Sequence, residues 1–215
     1  MGSEYVSIIF AAVFLAILFL LHFLKRELDP SWRMISEYEI GRFGWMMRLA
    51  FFCWGVSVLA MLITIWPSLQ PISGTISRWW FVVIVIALFG AGIFKTNPIT
   101  ENTPSRVNTI HTICGAIVIL TFPIAATLAV HSLLHDPLWS ASQGQLIFGT
   151  VLAWIGMVAY FASIIISGII NPSAIKKPSA GKDGPHVYQG WPNRFMVVTY
   201  IIWLIIIAGT ALRIH

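Results

Sequence analysis

Apolar residues in this chain fall in long unbroken runs, not in the short periodic alternation of half-buried strands or surface helices. Six runs stand out, at about 5–24, 46–66, 79–94, 109–134, 145–170 and 194–212, the third being the shortest. Runs of about 20 apolar residues are long enough to cross a bilayer. Inside one, every backbone amide must be satisfied within a helix or a closed barrel. The pattern therefore predicts an all-α membrane protein: one domain over 1–215, built as a bundle of six transmembrane helices. The first run has Glu4 ahead of it, Lys25 and Arg26 behind it and no small-residue cleavage site. It reads as a retained helix, not a leader.

Composition strengthens this picture. The chain is 58% hydrophobic and 10% charged, with a mean hydropathy of +0.84, well outside the range of soluble domains. Its net charge of +5 does not indicate nucleic acid, because the bases are scattered between the apolar runs and not gathered on a soluble face. They follow topology instead. Lys25, Arg26, Arg33, Arg42, Arg48, Lys95, Arg106, Lys176, Lys177, Lys182 and Arg194 lie in or beside the first, third and fifth connections; only Arg78 and Arg213 lie on the other side. The positive-inside rule then places the odd connections in the cytoplasm and both termini on the non-cytoplasmic side. The fifth connection, "NPSAIKKPSAGKDGPHVYQGWPNR", reads as a flexible solvated loop whose lysines suit anionic headgroups.

Within the runs, Gly149, Ala153, Ala159, Ser163 and Ser167 form a small-residue pattern suited to close helix packing. Pro123 is expected to kink the fourth span. Trp66, Trp79, Trp80, Trp139 and Trp191 fall at span ends, where they read as interfacial anchors. Cys53 and Cys114 lie in apolar runs and read as free thiols.

Candidate chemistry is sparse. No Asp, Glu or Lys falls mid-span, so the usual mark of an ion pathway or proton relay is missing. The familiar nucleotide, hydrolase and metalloprotease motifs are absent from the sequence too. His131 and His135 have the i, i+4 spacing of metal ligands on one helix face, with Asp136 following, and are weak metal candidates. His22 and His111 sit at similar depth and could flank a haem if the first and fourth helices adjoin. No cofactor is firmly implied.

The first connection holds "SEYE", residues 36–39, which fits a capping box. Ser36 would accept from the amide of Glu39, whose side chain would reach back, starting the helical approach to the second span. A functional reading gathers Asp29, Ser36, Glu37, Arg42, Asn97, His111 and Arg194 as a polar binding site on the cytoplasmic side, with Glu37 and His111 as the catalytic candidates.

Three stretches carry a resemblance: "LDPSWRMISEYEIGRFGWMM" (28–47), "FKTNPITENTPSRVNTIHTICGAIVILTFPIA" (94–125) and "GWPNRFMVVTYIIWLIIIAGTAL" (190–212). In order and spacing the chain resembles the integral membrane family catalogued as domain of unknown function 998. That family's pattern has an Ile-Ser-Glu element, a Phe-x-Thr-Asp element, a Gly-x-x-His helix start and an Arg opening the last helix. Ile35, Ser36 and Glu37 match the first, His111 and Arg194 the last two. Asn97 stands where an acid is expected, which weakens a two-acid metal site. The resemblance implies six helices and no established activity, and leans toward a bacterial or archaeal plasma membrane. The expected role is a polytopic protein that binds a lipid or amphiphile, or serves as an accessory subunit of a membrane complex, with membrane lipids or other membrane subunits as partners. The alternative is a membrane-embedded enzyme acting on lipid headgroups at the cytoplasmic side; a haem-binding redox protein and a transporter come after it.

Overall fold

The computed structural model describes residues 2–101, 105–170, 180–181, 184–185 and 188–214. Six helices are long and apolar enough to cross a membrane: α1 (Ser3–Leu24), α2 (Gly44–Ile65), α3 (Ile72–Ile93), α4 (Arg106–Leu133), α5 (Gln143–Ile170) and α6 (Gly190–Ile214). Short helical turns cover Ile35–Glu39, Trp66–Ser68 and Pro137–Ser140, and a two-residue ladder pairs Ala180–Gly181 with Gly184–Pro185. The chain is a multi-pass membrane protein. Much of the fifth connection, at 171–179, 182–183 and 186–187, lies outside the described residues, and the loop expected there goes with it.

α2 and α6 are the most buried helices and form the centre. α1 packs on both, α3 on α2, α4 on α3 and α5, and α5 on α6. α1 and α4 are therefore not side-by-side neighbours, and the condition set for a haem between His22 and His111 is not met. An aromatic stack fills the middle: Phe122 lies flat on Tyr200 at 4.5 Å, and Trp203 stacks on Phe81 at 5.5 Å. Gly149, Ala153 and Gly156 are buried on α5. A Cβ at Gly156 would stand 2.2 Å from Thr199 Oγ1 on α6, so that helix pair depends on the missing side chain.

α3 begins seven residues before the apolar run suggested. Its first two turns, "ISGTISR", look polar in sequence, yet several of their polar groups find partners inside the protein. Ser77 Oγ donates to Ala125 O at 2.8 Å, and Arg78 folds back on the carbonyls of Trp66 and Leu69 at 3.0 and 2.9 Å. Trp139 departs from the anchor reading as well: it is 1% exposed, and its Nε1 donates to Ser68 Oγ, whereas Trp79 and Trp191 are more than half exposed.

Pro123 sits inside α4 without ending it. It supplies no amide proton to the carbonyl four residues earlier. That carbonyl, Ile119 O, accepts from Tyr200 Oη at 2.8 Å, so α6 supplies the donor that α4 lacks.

Candidate functional site

The polar residues of the first connection do not cap α2. "ISEYE" folds as its own 3₁₀ turn, and Met34, not Ser36, stands at its N-terminal cap. Glu37 supplies the reciprocal carboxylate, accepting from Met34 N at 3.1 Å. The chain then passes Gly41 and Phe43, both at positive φ, before α2 opens at Gly44. Those two left-handed residues separate "SEYE" from the span it was expected to start. Phe43 adopts this geometry despite its side chain. Glu39, expected to cap its own turn, reaches the next connection instead.

Both acids bolt the first connection to the one between α3 and α4. Glu37 Oε1 accepts from Arg33 Nη1 at 2.5 Å and from Ile99 N at 2.9 Å. Glu39 Oε2 accepts from Thr96 N at 3.0 Å. Asn108 Oδ1, one turn into α4, accepts from Asn97 N and Thr96 Oγ1, while Ser105 caps α4 by accepting from Asn108 N and donates to Asn97 Oδ1. Backbone amides that would be orphaned at a helix entrance are thus satisfied by side chains.

The last helix joins the same knot. Asn193 Oδ1 accepts from Ile35 N at 3.1 Å. Arg194, 4% exposed, donates through Nη1 to Arg33 O and Gly190 O, through Nη2 to Tyr38 Oη and through Nε to His22 Nε2 at 2.8 Å. His22 Nδ1 lies 2.7 Å from Leu18 O, so Nδ1 carries the proton and Nε2 accepts, leaving neither nitrogen free. Gly190 lets the helix start approach: its amide donates to Ser31 O, and a Cβ would stand 2.3 Å from Pro30 O. Lys25, 1% exposed, donates Nζ to Ile40 O.

Of the seven residues expected to form one site, Glu37, Asn97 and Arg194 are woven into this knot. Ser36 and His111 border a cavity beneath it. Asp29 and Arg42 are exposed: Asp29 closes a local turn by accepting from Ser31 N, and Arg42 lies over the Phe43 ring. Glu39, Thr96, Asn108 and Asn193 were missed. Two of them are asparagines within one turn of a helix entrance, a position where such side chains satisfy backbone groups, and that was the available signal.

Glu39 is the electrostatically unusual member. Its side chain is fully buried, Oε1 has no hydrogen-bond partner, and Oε2 lies 3.7 Å from His111 Nδ1. Burial pushes its carboxyl up to about 7, opposed by the Thr96 amide and by the charges of Arg48 and Lys95. His111 Nδ1 points at two carbonyls, Phe94 O at 2.7 Å and Ala91 O at 3.1 Å, so it is the protonated nitrogen. The carboxylate beside the histidine is therefore Glu39 and not Glu37.

Below the knot lies a cavity of about 310 Å³ walled by α2, α3, α4, α5 and α6. Most of its lining is apolar, including Phe51, Leu88, Val118, Phe161 and Val197. Its lining includes Thr112 and Leu120 of α4, both exposed, and half-buried Phe161 and Ile164 of α5. Farther along, Trp154 Nε1 donates to Thr127 Oγ1 and ties those two helices together. A Cβ at Gly115, on the cavity wall, would meet nothing within 4 Å.

At the opposite end, His131 Nδ1 lies 3.2 Å from Ser73 Oγ, and His135 Nδ1 lies 2.8 Å from His131 O. Asp136 does not join them: its Oδ1 accepts from Leu138 N as a helix cap. Among the described residues, no three His, Cys, Asp or Glu side chains gather as a metal site.

No curated protein and no solved structure matches the chain. One family model does, over residues 8–210, and it spans all three stretches that form the knot. The chain thus belongs to the family described as "Protein of unknown function (DUF998)".

Proposed function

We propose that this protein binds the apolar chain of a membrane amphiphile in the cavity between α4 and α5, with the knotted end facing the cytoplasm. The observation that carries this reading is the cavity itself: mostly apolar, bordered by a few polar side chains, and with exposed residues of α4 in its lining. Such concave, largely preformed sites are where small ligands bind. The knot supports the reading by bracing the roof of the cavity from two connections and the start of the last helix.

Gly115 provides the test. A leucine there would begin in open space on the cavity wall, because a Cβ would meet nothing within 4 Å. Purified wild-type protein should retain a bound lipid or amphiphile in native mass spectrometry, and Gly115→Leu should lose it at an unchanged melting temperature. Equal retention by both proteins, or none by either across several lipid supplies, would sink the reading.

A second reading, acid–base chemistry on lipid headgroups, is supported by the 3.7 Å approach of Glu39 to His111. It ranks below binding because His111 Nδ1 already donates to backbone carbonyls. Undiminished lipid turnover in folded Glu39→Gln and His111→Ala variants would exclude it.

A further inference from the structure

The cavity's lining discriminates between kinds of polar head. Among the described residues, no Lys, Arg, Asp or Glu borders it. Of the charged groups nearby, Arg194 is committed to carbonyls, Tyr38 and His22, and Glu37 to Arg33 and two backbone amides, while Glu39, beside His111, offers an anion no counter-charge. A phosphate or carboxylate drawn into this space would lose water and gain no counter-charge, which is strongly unfavourable.

The polar groups that do border it are neutral: Ser36, Thr96, His111, Thr112, Tyr160 and Asn193. Two features narrow the choice. His111 spends its Nδ1 proton on Phe94 and Ala91, so in the neutral ring Nε2 is an acceptor. Trp54 also lines the cavity, is 2% exposed, and has no partner for its Nε1 donor. These side chains come from adjacent walls: Phe51, one turn before Trp54 on α2, packs edge-on against the His111 ring at 5.9 Å. One wall offers an acceptor, and in the next the buried Trp54 indole holds a donor that no protein group takes up. A hydroxyl is the small group that can donate and accept at once.

Resting on the binding reading above, we infer that the cavity selects an uncharged amphiphile whose polar end is a hydroxyl, such as a long-chain alcohol or an acylglycerol, over phospholipids and fatty-acid anions. The hydroxyl donates to His111 Nε2 and accepts from Trp54 Nε1, while the chain runs out between α4 and α5.

The test varies the ligand on an unaltered protein. Nanodiscs holding the protein are loaded at pH 8 with 1-dodecanol, dodecane, dodecanoate or dodecylphosphocholine at equal mole fraction. Retained probe is quantified by mass spectrometry after the protein is repurified. Dodecanol should be retained at least about tenfold over each of the others, the scale expected for one buried hydrogen bond or one avoided buried charge. Trp54→Phe should bring the ratio of retained dodecanol to retained dodecane down toward one. Equal retention of dodecanol and dodecane, or better retention of either charged probe, overturns the hydroxyl assignment while leaving chain binding intact. Retention of no probe at all overturns the binding reading itself.

Discussion

Arg194 shows how much one side chain can hold. Its guanidinium fork joins α6 to α1, to the first connection and to its own first turn, a geometry that a single ammonium cannot reproduce. Arg194→Lys should therefore destabilise the protein by roughly 2–4 kcal/mol. A thiol-reactive dye melt, using buried Cys53 and half-buried Cys114 as native reporters, checks it. Glu39 makes the opposite kind of residue-scale prediction. Its carboxyl titrates near 7 in the fold and near 4.5 when free, so the folded state holds a proton that the unfolded chain releases between those values. Stability should thus fall as pH rises from about 4.5 to 7, by something on the order of 1–3 kcal/mol, and level off above. In Glu39→Gln, which retains an oxygen for Thr96 N and cannot ionise, melting temperature should lose that slope; a slope unchanged from wild type would show that another group carries it.

At the scale of elements, the spans were legible because hydrocarbon thickness imposes a minimum apolar length that no other structure demands. The start of α3 was not, because Ser77 and Arg78 look solvated in sequence and only the fold reveals the carbonyls they reach. The candidate site was half legible for a related reason. Glu37, His111 and Arg194 belong to recognisable short elements, whereas Asn108, Asn193 and Glu39 act across 57 to 158 residues of separation or as local caps, which spacing along one helix cannot express. The α4–α6 contact yields a prediction at this level. Tyr200→Phe should cost about 1–2 kcal/mol by leaving Ile119 O without a donor. In a Pro123→Ala background, where residue 123 regains its amide, the same change should cost much less. Thermal melts of the four proteins form the cycle, and additive effects would refute the compensation.

For the whole molecule, the proposed orientation rests on the charge distribution and can be tested directly. With Cys53 and Cys114 replaced by serine, single cysteines at the exposed positions Arg42 and Ser140 should be labelled by an impermeant maleimide from opposite faces of sealed vesicles, Ser140→Cys from outside. Labelling of both from one face would overturn the proposed topology. The two ends also differ in construction. The knotted end is held by side chains from two connections and from the start of α6, whereas the far end relies on shorter ties such as Ser132 Oγ to Gln70 O and Trp139 to Ser68.

The Arg194 knot also bears on biogenesis. Its bonds to Arg33 O, Tyr38 and His22 close loops of 156 to 172 residues, nearly the span of the chain, and chains are made from the N-terminus onward. For most of synthesis the groups that Arg194 holds, among them Arg33 O and the Tyr38 hydroxyl, lack that partner. The knot is complete only when the sixth helix arrives. Translation intermediates arrested before residue 190 should accordingly be cut by protease between residues 26 and 43, and that sensitivity should disappear on release of the finished chain.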